Sequence, residues 1–245
     1  MSRIFQSRRA APPQELPLPP GEGRGEGTAI SRKGGTFDPR SVSEFTASRL
    51  SVYLRCLEAL ESQGVRHATS QVLARRVDLG PAQIRKDLAT FGEFGVRGVG
   101  YEVAALKQHL TAILGLDRIR RVAIVGAGHL GQALADYRGF RSGGFAIAGL
   151  FDNDPRKIGS ATRAGVRVRD VESLPEAVAR EMIRIGVVTV PASAAVEVAR
   201  RCVAAGLKAI LNFAPVRLHA PPDVRLKNVD LTINLETLSF YIPRE

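Results

Sequence analysis

Cysteine is scarce in this chain, and its scarcity excludes two constructions. The only two among 245 residues are Cys56 and Cys202. They stand far apart in helical patterns without the spacing of metal ligands, so they build neither a disulfide framework nor a zinc site. Both read as buried, inert thiols. No apolar run reaches the roughly 18 residues of a membrane span, and the N-terminus lacks the apolar core of a signal peptide. A soluble, cytoplasmic protein with no membrane partner and no metal is expected. Histidine is sparse too: His67, His109, His129 and His219 form no evident proton-transfer set with a lysine or an acid.

Positive charge is abundant. Thirty-five Lys and Arg against 24 Asp and Glu give a formal charge of +11, which favours an anionic partner such as nucleic acid. Composition then divides the chain. Residues 1–43 contain "APPQELPLPPGEGRGEGTAISRKGG", rich in Pro, Gly and mixed charge and without apolar periodicity. Such a segment cannot offset its ordering entropy by burial, so a disordered extension is expected. Within the quoted stretch three glutamates balance Arg24, Arg32 and Lys33, which argues against a DNA-gripping arm. We suspect that the chain is read from an upstream start codon and that the native protein begins near the next element.

Over residues 44–101 the pattern tightens. Leu50, Tyr53, Leu54, Leu57 and Leu60 recur on one helix face, with Gly64 as a stop. Ser70 is placed to cap a short second helix, "QVLARRV", and Pro81 to open a third whose apolar stripe is Ile84, Leu88 and Phe91. Gln83, Arg85, Lys86 and Thr90 then point outward. Three short helices with a tight connection between the last two make a helix-turn-helix pattern. Gly92, Gly95, Gly98 and Gly100 permit a narrow hairpin with Arg97 near its tip, as a wing requires. In that arrangement Arg85 and Lys86 donate to guanine edges or phosphates, while Arg97 reaches the backbone or minor groove. The alternative is that the Arg-Lys pair only solvates a helix face.

A linker helix over 102–117 leads to a second pattern over 118–228. "RRVAIVGAGHLGQALADY" sets an apolar strand directly before Gly126-Ala127-Gly128-His129-Leu130-Gly131 and then a helix, the context that a dinucleotide fingerprint requires. Gly126 makes the tight turn, Gly128 admits the pyrophosphate, and Gly131 lets the helix pack on the strand. The next strand, "FAIAGLFD", ends in Asp152, placed to accept from the adenosine ribose and to repel a 2′-phosphate. NAD(H) is thus favoured over NADP(H), with Arg156 and Lys157 close by. "IRIGVVTVP", "ASAAVEVARRCVAAG" and "LKAILNF" continue the alternation of strand and helix, which implies a doubly wound parallel sheet. Thr189, Val190 and Pro191 at one strand end, and Asn212 and Phe213 at another, fall at the ligand-binding carboxyl edge or serve packing. In the last segment, 229–245, Leu231, Leu235 and Leu238 with Tyr241 or Ile242 make a helical stripe able to dock on a second subunit. Asp230 is a candidate N-cap for it.

From about Thr46 to Tyr241 the chain resembles the Rex family of redox-sensing transcriptional repressors. The residues that carry the resemblance are "QIRKDLATFGEFGVRGVGY", "VGAGHLGQALADY", "FDNDPRKIG", "ILNFAP" and "NVDL". The resemblance implies an α/β homodimer with an N-terminal winged helix-turn-helix domain and a C-terminal Rossmann-like sheet, the last helix being exchanged between subunits. It implies binding to a palindromic double-stranded operator, release by NADH, and weaker competition by NAD+. Arg85, Lys86 and Arg97 take the DNA-contact roles. Arg55, Tyr137 and Asp230 fall where the family exchanges an Asp-Arg ion pair for an Asp-Tyr hydrogen bond. The pattern departs at Leu231, because an aromatic residue can follow the aspartate in relatives and stack near the nicotinamide, and in the Pro-rich extension. An NAD-dependent oxidoreductase, or a nucleotide- or CoA-binding protein without a DNA role, are the alternatives. The first lacks a catalytic set and a substrate domain, and the second leaves the winged-helix pattern idle.

Overall fold

A computed structural model describes residues 31–32, 35–36 and 42–243. The extension 1–43 lies almost wholly outside the described residues. Within it, β1 (Ser31–Arg32) pairs antiparallel with β2 (Gly35–Thr36), where no ordered element was expected.

The first helix, α1 (Glu44–Ser62), is capped by Ser43, whose hydroxyl accepts from Thr46 N at 3.1 Å. It buries Leu50, Tyr53, Leu54, Leu57 and Leu60, the face predicted from their spacing. Gly64 follows in the left-handed region at φ 74°, a conformation that glycine adopts without strain. The second helix, α2 (Ser70–Val77), is capped by Thr69 and not by Ser70. Thr69 holds the extended backbone that a cap needs, which leaves Ser70 as the first helical residue with its hydroxyl free to accept from Arg85 at 2.9 Å. Pro81 opens α3 (Pro81–Ala89), which packs on α2, and Ile84, Leu88 and Phe91 are buried. A three-stranded sheet completes this part, in the order β3 (His67–Ala68), β5 (Gly100–Glu102), β4 (Gly95–Val96). β4 and β5 are the hairpin expected of the glycines. β3, two residues long, gives no sequence signal.

The linker helix α4 (Val103–Ile113) packs on α1 and ends before Gly115. Beyond it six strands form one parallel sheet: β6 (Arg120–Val125), β7 (Phe145–Asp152), β8 (Val168–Asp170), β9 (Ile185–Val188), β10 (Ala209–Asn212) and β11 (Arg225–Asn228). Their spatial order is β11-β10-β9-β6-β7-β8, with every neighbouring pair parallel. Counted from β6, this is the order 3-2-1-4-5-6 of a doubly wound dinucleotide-binding sheet, whose topological switch point lies between β6 and β9. The central strands are near-continuous apolar runs because both faces are covered. The connecting helices are α5 (His129–Ala135), α6 (Arg138–Ser142), α7 (Leu174–Arg180) and α8 (Ala192–Ala204). Cys202, on α8, is fully buried, and burial pushes its thiol up to about 12. Cys56 is buried on α1, its thiol likewise raised by burial.

The chain closes in α9 (Leu231–Phe240), a helix that buries none of its residues against the rest of the chain. No helix among the described residues is long and apolar enough to cross a membrane.

Candidate functional site

Two sites stand at opposite ends of the chain's logic. At the first, α3 presents Arg85 and Lys86 to solvent, and the turn between β4 and β5 presents Arg97 between the exposed Val96 and Val99. A groove of about 650 Å³ runs between α3, the start of α2 and the hairpin, with Arg85 and Arg97 among its lining residues. Thr90 is half-buried, its hydroxyl donating to Lys86 O at 3.2 Å.

Gln83 departs from the expectation that it simply points outward. It is half-buried, and its Nε2 donates to Asp87 Oδ1 at 2.8 Å. Asp87 itself is a buried carboxylate in the middle of α3's apolar stripe. Arg49 of α1 forks onto it through Nε at 2.5 Å and Nη2 at 2.7 Å, and the buried Tyr53 hydroxyl donates at 2.7 Å. Burial alone would raise the Asp87 carboxyl, but the hydrogen bonds from Arg49, Tyr53 and Gln83 outweigh it and hold the group below the usual carboxylate range. Burial, reinforced by the neighbouring carboxylate, pushes the Tyr53 phenol well above its ordinary value. Sequence reading missed this network. Its one visible signal is an acid at a core position of α3 together with a helical Arg49-Tyr53 pair four apart.

At the second site the turn after β6 meets the end of β9. Gly126 has φ 109°, and a Cβ there would sit 2.5 Å from Thr189 O; at Gly131 it would sit 1.9 Å from Gly126 O. Both positions demand glycine for packing reasons internal to the fold. Gly128 differs, since a Cβ on it would meet no atom of the chain within 4 Å. Thr189 donates its hydroxyl to Val125 O at 3.1 Å and Gly126 O at 2.9 Å, pinning the two strand ends together. Gly126, Gly128, Asp152, Thr189, Val190 and Pro191 line one cleft of about 650 Å³, joined by Lys157, Glu172, Glu197 and Arg201. Arg201 pairs there with both glutamates.

Asp152 is buried, and its charge is held by specific donors. Oδ2 accepts from Ala127 N at 2.6 Å and Lys157 Nζ at 3.1 Å, and Oδ1 accepts from Asp154 N at 2.9 Å. Burial opposes its ionisation, but the Asp154 and Ala127 amides and Lys157 prevail, so the carboxyl lies below its ordinary range. A carboxylate offers about four acceptor sites. Three are used, which leaves Oδ1 able to accept once more.

Several expected cofactor residues are not among those that line this cleft. The Ala127 amide is spent on Asp152, and the Ala127 side chain is buried. His129 and Leu130 stand exposed on the first turn of α5. Asn212 is fully buried: its Nδ2 donates to Val216 O at 2.8 Å and Asn228 Oδ1 at 2.9 Å, and its Oδ1 accepts from Ala214 N at 2.9 Å. It ties the loop after β10 to β11 and does not line the cleft. Phe213 packs on the core with Val122, Ile124 and Leu150. The three expected switch residues make no hydrogen bond, ion pair or ring contact with one another among the described residues. Asp230 caps α9, accepting from Thr232 N at 2.9 Å, Arg55 is exposed on α1, and the Tyr137 ring stands edge-on to Phe140. Among the described residues no group of three or more His, Cys, Asp or Glu is placed to hold a metal ion.

A helix-turn-helix with a wing, joined to a doubly wound sheet with a glycine-turn cleft, defines a DNA-binding regulator with a nucleotide-sensing domain. Comparison with known proteins agrees for both parts. A family model described as a putative DNA-binding protein N-terminus matches residues 41–89, and one described as a CoA binding domain matches residues 117–216. The redox-sensing transcriptional repressor Rex of Desulfitobacterium hafniense is 49% identical over 201 residues, covering 82% of this chain and 95% of that protein. Its counterpart from Carboxydothermus hydrogenoformans is 50% identical over 204 residues, covering 83% and 98%. Among solved structures, the Rex-family repressor RSP in complex with beta-NAD+ and operator DNA is 44% identical, with a TM-score of 0.77 over 81% of this chain and 91% of that one. RSP in complex with beta-NADH is 42% identical, with a TM-score of 0.73 over 82% and 93%. The chain belongs to the Rex family of redox-sensing transcriptional repressors.

Proposed function

We propose that two copies of this chain bind a palindromic operator in the cytoplasm and leave it when NADH enters the cleft, so that transcription follows the NADH/NAD+ ratio. Arg85 and Lys86 enter the major groove, Gln83 and Thr90 flank them, and Arg97 on the wing holds the backbone or minor groove. The dinucleotide lies across the switch point, its pyrophosphate over Gly128 and its adenosine ribose on the remaining acceptor site of Asp152 Oδ1. The observation that carries this reading is the contrast among the three glycines. Gly126 and Gly131 are glycine because the fold packs on them, whereas Gly128 faces only the space of the cleft. An acceptor-only carboxylate at the ribose favours NAD(H) over a nucleotide with a phosphate there, which CoA and NADP(H) both carry.

In this reading α9, over 229–245, is exchanged between subunits, since its apolar side chains stay more than half exposed on their own chain. Asp230 pairs with Arg55 in the DNA-bound dimer and with Tyr137 when NADH is bound. A gel-shift titration with NADH and with NAD+ on the upstream regions of anaerobic-metabolism genes tests the function. NADH should abolish the shifted band at concentrations where NAD+ leaves it. A band that persists while calorimetry shows the cleft saturated with NADH would refute the reading. Asp230→Ala should bind both ligands yet lose much of the NADH-induced drop in operator affinity; an unchanged drop would move the switch elsewhere.

A further inference from the structure

We propose that Asp87 fixes the orientation of the Gln83 amide, so that Gln83 reads an exocyclic amine of adenine or cytosine through its carbonyl oxygen. The proposal rests on the DNA-binding reading of α3 and adds the chemical sense of one contact. Gln83 is the third residue of α3, four before Asp87 and three before Lys86, and the N-terminal residues of a recognition helix are those that meet base edges. An amide can offer either its NH2 or its oxygen, and a free glutamine grips adenine with both. Here the choice is made from below. An ionised carboxylate only accepts, so the group that Gln83 turns to Asp87 must be Nε2, at 2.8 Å.

Asp87 cannot turn away to release it. Arg49 forks onto both carboxylate oxygens, at 2.5 and 2.7 Å, and the fully buried Tyr53 donates at 2.7 Å. Gln83 Oε1 accepts no hydrogen bond among the described residues. Among the described residues the only buried side-chain polar atom without a partner is Thr162 Oγ1, so Gln83 Oε1 is open to solvent. The outward face of α3 thereby gains an acceptor beside two donor-only side chains, Arg85 and Lys86. Those two suit guanine O6 and N7, and Gln83 oxygen suits only adenine N6 or cytosine N4. Asp87 is a positioning residue: it touches no DNA and acts through Gln83.

The test uses the full-length protein and the duplex that it selects from a randomised pool, with affinities read by anisotropy at fixed salt. In each half-site every adenine is replaced in turn by purine, which lacks N6, and every cytosine by 2-pyrimidinone, which lacks N4. At one position per half-site the loss of the amine should weaken the parent about tenfold, and the kind of base at that position distinguishes adenine from cytosine. Gln83→Ala should be indifferent to the amine at that position and keep the parent's sensitivity at all others. Asp87→Asn, whose amide can either donate or accept, should let Gln83 turn and so accept both the amine-bearing and the amine-free base. The proposal is overturned if Gln83→Ala keeps every sensitivity of the parent, or if the sensitivity it loses is to 7-deazapurine, which removes an acceptor from the base. Failure to select any duplex would refute the DNA-binding reading itself, a result distinct from either. If Asp87→Asn does not fold, Gln83→Ala carries the test alone.

Discussion

Replacing Asp87 by alanine strands four donors at once, and the structure says how much each loss costs. Tyr53 is fully buried, so its hydroxyl loses its partner with no water to replace it, about 1–3 kcal/mol. Removing one member of a fully buried ion pair costs about 3–5 kcal/mol. The Arg49 side chain, however, keeps 26% of its surface exposed and can turn to water, so its share falls to about 1 kcal/mol. Gln83, half-buried, resolvates at little cost. The sum is about 3 kcal/mol, or roughly a hundredfold in the equilibrium for opening the contact between α1 and α3. Hydrogen exchange read by mass spectrometry measures this directly. Peptides from α1 and α3 should exchange about a hundredfold faster in Asp87→Ala, and peptides from β6 and β9 at the parent's rate. An acceleration below tenfold, or an equal one in β9, would refute the reasoning. The pH dependence follows with a definite sign. The Asp87 carboxyl is depressed in the folded chain, so its contribution is complete above the ordinary value of 3.8 and is lost as pH falls below it. Acid titration should therefore open α1 and α3 of the parent in that range and show a shallower dependence in Asp87→Ala, whereas a rise from neutral pH to about 9 leaves the contact intact.

Arg85→Ala should lose about 1–3 kcal/mol of operator binding with NADH affinity by calorimetry unchanged, because the two sites lie on separate parts of the chain; unaltered operator affinity would remove α3 from recognition. Gly128→Ala should melt like the parent yet bind NADH at least about tenfold more weakly, whereas Gly131→Ala should lower the melting temperature, since its Cβ meets Gly126 O at 1.9 Å. Calorimetric and melting data that rank the two alike would contradict the division of labour among the glycines. Asp152→Ala should narrow the preference for NADH over NADPH and also loosen the turn that its carboxylate holds through Ala127 N, so equal NADH and NADPH affinity in the parent would refute its assignment to the ribose.

What the sequence made legible was whatever one element declares by itself. The face of α1 follows from Leu50, Tyr53, Leu54, Leu57 and Leu60, because burial selects a 3.6-residue period. Gly126 and Gly131 follow from the strand, turn and helix order around them. The unread parts depend on pairs that meet only in space. Asp87 and Arg49 are 38 residues apart, and nothing local marks them as partners. Asn212 falls at a strand's carboxyl end, where ligands bind in such sheets, yet it faces inward because the loop through Ala214 and Val216 needs its donors and acceptor. β8 and β11 escaped notice because an edge strand such as "VRD" or "RLKN" is short and polar and shows no apolar run.

Magnitudes also decide where coupling between the two sites can reside. A tenfold change in operator affinity needs about 1.4 kcal/mol of difference between two dimer arrangements. Within one chain, one direct polar link between the winged-helix part and the sheet is Lys227 to Glu44 at 2.6 Å, with side chains 55% and 67% exposed. An exposed pair of that kind contributes about 0–1 kcal/mol and is screened by salt, so it falls short of the requirement. The α9 face is of another order. Leu231, Ile233, Leu235, Leu238, Phe240, Tyr241 and Ile242 are all more than half exposed, and each fully buried apolar side chain of this size is worth about 1.5–3 kcal/mol. A dimer that buries two more of them in one arrangement than in the other already exceeds the coupling required. In the proposed dimer, packing of α9 would therefore supply enough energy for the transition, and Asp230 at its start would serve only to make each arrangement discrete.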